Sequence, residues 1–184
     1  MTTNYTVEKF QQRLEERGFK RELCGEEDFN ALFEAWKKAG EHSPRRGILV
    51  CGVTGCGKTH ALRALYPNAF LIDCGTQRGF DLLDMGEVNG DYNDRDVLLD
   101  DIGAELPKVA FGVKRELVAG FIRDRYSALE NARFRGLEAN ERRIFATTSQ
   151  SVDELTQRYG DAVVSRFYQL FEFVVMKGKD KRGA

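Results

Sequence analysis

Val7, Phe10 and Leu14 recur at the spacing of one helical face, which predicts a short helix closed by Gly18. Phe29, Leu32, Phe33 and Trp36 form a fuller i, i+3, i+4, i+7 stripe that stops at Gly40. The punctuation Ser43-Pro44-Arg45-Arg46 then leads into Gly47-Ile48-Leu49-Val50-Cys51, an apolar run short enough to be a buried strand. Four more runs of that kind follow: Ala69 to Cys74, Asp96 to Leu99, Arg143 to Thr147, and Phe171 to Met176. Helical patterns separate most of them. The longest covers Val113 to Leu129, with Val113, Leu117, Val118, Phe121, Ile122, Tyr126 and Leu129 on one face, and another begins at Ser151 with Asp153 and Glu154 near its start. Strands alternating with helices predict an α/β fold with a central five-stranded parallel sheet. Two helices precede it, so the chain divides into a helical segment over 1–45 and an α/β domain over 46–184.

Composition narrows the class of protein without choosing within it. A chain of 184 residues is long enough to bury one ordinary core. Cys24, Cys51, Cys56 and Cys74 form no C-x-x-C pair, and with only His42 and His60 beside them no zinc spacing can be assembled, so a reducing, cytoplasmic setting is expected. No apolar run approaches the roughly 20 residues of a membrane span, and Met1-Thr2-Thr3-Asn4-Tyr5 lacks the pattern of a signal peptide; no membrane contact is expected. The net charge of -1 argues against a protein held to nucleic acid mainly by phosphate contacts, so any contact with single-stranded DNA should be weak, local or shared across an assembly.

Chemistry enters at Gly52-Val53-Thr54-Gly55-Cys56-Gly57-Lys58-Thr59, which satisfies G-x-x-x-x-G-K-[ST] between a predicted strand and a predicted helix ending before Pro67. Small residues let the backbone curl its N–H groups around phosphates, the helix N-terminus adds positive potential, and Lys58 can reach the β- and γ-oxygens. Thr59 can place its hydroxyl on Mg2+. A Gly-rich turn with no ligand would need neither the lysine nor the hydroxyl at these positions. Cys56 inside the loop reads as filler and not as a nucleophile.

A second motif lies 42 positions beyond Lys58, where Val97-Leu98-Leu99 ends in Asp100-Asp101. An apolar strand tipped with two carboxylates places them at the carboxyl edge of the sheet, beside the phosphate loop. Asp100 is assigned to the magnesium ion and Asp101 to the attacking water. Asp100-Asp101-Ile102-Gly103 also contains a D-x-x-G, but the chain has no N-K-x-D to read guanine, which favours ATP.

At Gly57-Lys58-Thr59-His60, Leu98 to Glu105, Arg125-Tyr126 and Arg158-Tyr159-Gly160 the chain resembles the AAA+ ATPases that load replicative helicases and their transposition-helper relatives, over roughly Gly47 to Arg182. The resemblance implies a three-layer P-loop domain of AAA+ type and adds His60 to the nucleotide site. It puts a sensor residue after the strand Ile144 to Thr148, where Ser149 stands in place of the usual asparagine. Within Val164-Ser165-Arg166-Phe167 it makes Arg166 an arginine finger for a neighbouring subunit's site, and in Lys177-Gly178-Lys179-Asp180-Lys181-Arg182 it makes Arg182 a second sensor. Nucleotide-dependent homo-oligomers and a helicase or transposase captured by the N-terminal helices follow as expected partners. Little or no helical lid is expected after β-strand Phe171 to Met176, and the 22 positions from Cys74 to Asp96 are short for the added helix such loaders use on single-stranded DNA.

Two other readings use the same residues. A nucleotide-switched binding module would turn over little ATP and use Phe29, Leu32, Phe33 and Trp36 as a partner groove. A small-molecule kinase would share the phosphate loop, but no Arg-rich lid follows the long helix and Asp101 stands where a water-orienting group should.

Overall fold

The computed structural model describes residues 5–19, 24–42, 45–84, 95–136 and 142–179. Two N-terminal helices, α1 (Val7–Glu15) and α2 (Glu26–Glu41), precede β1 (Gly47–Gly52), α3 (Lys58–Leu65), β2 (Phe70–Asp73), α4 (Gln77–Asp84) and β3 (Val97–Asp100). A hairpin of β4 (Lys108–Ala110) and β5 (Val113–Arg115) follows, then α5 (Leu117–Phe134), β6 (Ile144–Thr148), α6 (Val152–Tyr159), α7 (Asp161–Leu170) and β7 (Phe171–Met176). The five longer-range strands are all parallel, in the order β2-β3-β6-β1-β7.

Each predicted strand run became a strand of this sheet. The reason is visible in β1, where Ile48 and Val50 enter one core while Leu49 and Cys51 enter the other. A parallel strand covered on both faces must be apolar at every position, so its sequence reads as an unbroken run. One core holds α1, α2 and α3 against the sheet; the other holds α4 to α7, giving three layers. Ser151 caps α6 through a capping box with Glu154, as the acidic start of that segment suggested.

The long helix differs from its sequence pattern. It begins at Leu117 and runs to Phe134, and Val113 lies instead on the exposed strand β5. Val113 and Leu117 keep helical spacing by coincidence, because the chain between Lys108 and Arg115 closes on itself through the two-residue turn Phe111-Gly112. Both turn residues have positive φ, 52° and 75°, as a type I′ hairpin turn requires. For Gly112 this conformation is free of the Cβ penalty; for Phe111 it is strained.

The N-terminal helices also pack more deeply than a projecting arm would. Phe10 and Leu14 of α1 join Phe29, Leu32 and Trp36 of α2 in one core with Leu62 of α3 and Phe145 of β6. Phe10 stacks edge-on against Phe29 and Phe33, at ring-centroid distances of 5.2 and 5.5 Å. The stripe Phe29, Leu32, Phe33, Trp36 is therefore filled by the chain itself and is not an open partner groove. The boundary at residue 45 is a division of chain order, since both sides share this core. Phe10→Ala is expected to cost about 3–5 kcal/mol, as truncation of a fully buried aromatic does, read as the shift in chemical-denaturation midpoint.

Candidate nucleotide site

The phosphate loop leaves β1 at the carboxyl edge of the sheet and enters α3 at Lys58. Gly55 and Gly57 take positive φ, 81° and 102°, so the loop can turn its N–H groups inward without a Cβ clash. Gly52 has a different need: a Cβ there would meet the Met176 carbonyl oxygen of neighbouring β7 at 2.5 Å. Cys56 is fully buried beneath the loop, consistent with a filling role. The Lys58 ammonium donates to Gly52 O at 2.7 Å and to Val53 O at 2.9 Å, so it lies folded onto its own loop.

Between β1 and the acid-tipped β3 lies β6, and its end supplies what joins the two motifs. Thr59 Oγ1 donates to Asp100 Oδ1 at 2.6 Å, and Thr147 Oγ1 donates to the same oxygen at 2.6 Å. Thr147 Oγ1 also accepts the Asp101 N–H at 2.8 Å. Thr148 Oγ1 donates to Ile102 O at 2.7 Å. Two adjacent hydroxyls of β6 thus hold both sides of the acidic turn. Asp101 itself sits at φ 58°, a left-handed conformation uncommon for a residue with a side chain. Ser149 Oγ stands 3.4 Å from Asp101 Oδ1, which puts the residue proposed as sensor beside the residue proposed to orient water.

Thr54, Gly55, Gly57, Lys58, Thr59, His60, Asp100, Asp101 and Thr147 line one cleft of about 370 Å³, together with Asp73. Thr147 and Asp73 were not singled out in the sequence. Asp73 follows from register, since it is paired with Asp100 across β2 and β3, whereas Thr147 depends on β6 lying between β1 and β3, an order no local pattern encodes. His60 packs its ring 5.4 Å from Phe19, at the outer end of the loop. Buried Asp28 accepts the backbone N–H groups of Lys177 at 2.8 Å and Gly178 at 3.0 Å, tying the chain beyond β7 to the first turn of α2. Arg182 lies outside the described residues.

The turn after Asp101 is braced from α6. Glu105 is buried, accepts the Gly103 N–H at 2.8 Å, and receives the Tyr159 hydroxyl; burial pushes its carboxyl above the usual range, while Tyr159 and Arg158 pull the other way. Arg158 donates to the carbonyls of Gly103 and Glu105 and reaches Glu116 Oε2 at 3.0 Å. One guanidinium therefore joins the acidic turn, the end of the hairpin, and α6. Arg158 and Tyr159, which carry part of the family resemblance, thus act on the fold through contacts that join segments over 40 positions apart.

Arg166 does not line the cleft. It lies on α7, with Nη1 donating to Ala162 O at 2.6 Å and the guanidinium 5.4 Å from the Tyr126 ring centre. Its Nε is buried without a hydrogen-bond partner among the described residues.

The donor set fits a magnesium–nucleotide ligand in kind: a hydroxyl already bonded to a carboxylate, an ammonium resting on carbonyls that an anion can replace, and a loop of small residues. No group of three or more His, Cys, Asp or Glu side chains among the described residues could by itself hold a metal ion, so a cation here would depend on Thr59, Asp100, water and the nucleotide. No described helix is long and apolar enough to cross a membrane.

No family model matches the sequence, and no curated protein matches it. Among solved structures the chain is similar to the DnaC helicase loader, with a TM-score of 0.54 and 20% identity, over 83% of this chain and 92% of that one. It is also similar to AMPPCP-bound DnaA from Aquifex aeolicus, with a TM-score of 0.49 and 22% identity over 96% of this chain and 51% of that one. A replication initiator DnaA bound to AMPPCP and single-stranded DNA gives 0.45 and 22%, over 95% and 50%. The chain spans about half the length of these DnaA chains. The first of these likenesses shows the fold: the chain has the three-layer α/β fold, with its five-stranded parallel sheet, that is seen in the DnaC helicase loader.

Proposed function

We propose that the chain binds and hydrolyses ATP as a AAA+ protein acting in DNA replication or transposition, with nucleotide state controlling self-association and partner binding. The observation that carries this reading is the hydrogen-bonded series Thr59, Asp100, Thr147, Asp101 beside Lys58 in one cleft. Lys58 exchanges its two neutral carbonyl acceptors for phosphate oxygens, so that both donor and acceptor carry charge. Loop N–H groups hold the remaining phosphate oxygens. Mg2+, held by Thr59 and by Asp100 through water, would neutralise charge on the β- and γ-phosphates. Asp101 orients the attacking water, and Ser149 steadies the carboxylate that does so. Arg166 acts on the site of a neighbouring subunit.

Partner capture by a helicase or transposase would use the outer surfaces of α1 and α2, because Phe10 and Leu14 of the one and Phe29, Leu32 and Trp36 of the other are already buried. A cytoplasmic protein without membrane contact fits this role.

Asp101→Asn tests the reading directly. It keeps the shape of the side chain and loses its capacity to accept a proton, so ATP binding should persist while phosphate release falls by about 10²- to 10⁴-fold. Release is measured without any added acceptor, which a kinase would require. Undiminished turnover in this variant would remove Asp101 from the mechanism.

A further inference from the structure

The β4–β5 hairpin carries side chains whose exposure its own fold does not explain. Two-stranded hairpins are marginal in water unless something covers them. Here both faces bear exposed groups, Val109 and Lys114 on one and Val113 and Arg115 on the other. Leu106 at its base is also exposed, and Phe111 at its tip is wholly so. Phe111 is held there at positive φ, in a turn position where Asn, Asp or Gly would be relaxed. The register sets Lys108 directly across from Arg115, a like-charge pair that weakens a hairpin standing alone.

The charges distinguish between occupants. Residues 106–115 hold three cations and no acid, in a chain of net charge -1. Lys108 is tethered to Asp84 of α4 at 2.5 Å, which fixes the base of the hairpin, and Lys114 reaches Glu116 at 3.3 Å while remaining largely exposed. The Arg115 guanidinium makes no hydrogen bond or ion pair among the described residues. A single-stranded polyanion answers the charge of Arg115 and of the largely exposed Lys114, and its bases have faces that stack on an exposed aromatic ring. A purely apolar protein surface would cover Phe111 and Val109 but leave the Arg115 guanidinium without a counter-charge.

We propose that this hairpin is a contact for single-stranded nucleic acid, with Phe111 stacking on a base and Lys114 and Arg115 on flanking phosphates. The proposal deepens the DNA-directed function above and rests on that reading for its biological setting. It requires no turnover of ATP, and none of the three residues lines the phosphate cleft.

The test is fluorescence anisotropy of a labelled oligothymidylate of about 20 nucleotides, with and without a non-hydrolysable ATP analogue, alongside sedimentation of the protein alone. Wild-type protein should bind with a marked salt dependence. Phe111→Asn suits the turn better than Phe111 does, so the hairpin stays folded, yet affinity should fall about tenfold or more; Phe111→Trp should retain it. Lys114→Ser with Arg115→Ser should lower the slope of log affinity against log salt by about one unit or more. Absence of wild-type binding under both conditions, or unchanged affinity in Phe111→Asn, overturns the proposal. So does self-association that Phe111→Asn abolishes while oligonucleotide binding is missing, which would make the hairpin an interface between copies of the chain. Titration of the protein with a fluorescent ATP analogue, done separately, keeps the two readings apart: its failure with oligonucleotide binding intact removes the nucleotide site and leaves the hairpin.

Discussion

Lys58→Ala is expected to lose ATP affinity by about 10²- to 10⁴-fold while the protein remains folded. The estimate follows from two charge-assisted hydrogen bonds to phosphate, worth about 1.5–3 kcal/mol each, converted at about 1.4 kcal/mol per tenfold. The structure explains why folding should survive. Lys58 is 7% exposed and spends its ammonium on the Gly52 and Val53 carbonyls, but Val53 is half exposed, so water can replace the lost donor. Titration with a fluorescent ATP analogue reads the first effect and thermal unfolding the second. An affinity within about threefold of wild type would show that the cleft does not use Lys58 on phosphate.

The other large effect concerns Arg166, for which the proposed role requires an active site shared between two subunits. A cation supplied in trans to a transferring phosphoryl group can be worth about 10³-fold or more in rate, while binding needs it much less. Arg166→Ala should therefore bind ATP and hydrolyse it poorly. Asp101→Ala should fail differently, having lost its own water-orienting carboxylate while keeping an arginine to donate. Mixed together, the two inactive proteins should recover activity, because the Arg166→Ala subunit supplies an intact phosphate site and its neighbour supplies the guanidinium. Activity per molecule should also rise with total concentration, as association by mass action demands. If the mixture stays inactive at concentrations where wild-type protein assembles, Arg166 is a surface residue packed on Tyr126 and nothing more.

The strands could be read from the chain because burial on both faces leaves no polar position to confuse the pattern, as in Ile48 to Cys51. Lys58, Thr59, Asp100 and Asp101 were legible for a related reason, since each stands at the end of such a strand or the start of the helix behind it. Thr147 was not. Its hydroxyl matters only because β6 comes between β1 and β3, and that order arises from crossovers far apart in sequence. The hairpin was hidden by its turn, Phe111-Gly112, which lacks the Asn or Asp that usually announces two positive-φ residues. The depth of α1 was hidden as well, because three apolar positions look the same on a helix that projects and on one whose Phe10 and Leu14 complete a core.

The brace at Arg158 bears on how this fold can vary. The chain enters the hairpin at Glu105 and leaves it at Glu116, and the same guanidinium holds both points together with the turn behind Asp101. Residues 106–115 are thus an insert between two fixed ends. They can be exchanged for a segment of other length or chemistry with little strain passed to the phosphate cleft, so the surface offered to a partner and the machinery of the cleft are free to diverge at different rates. Arg158 itself has no such freedom, since replacing it would release the insert and the acidic turn together.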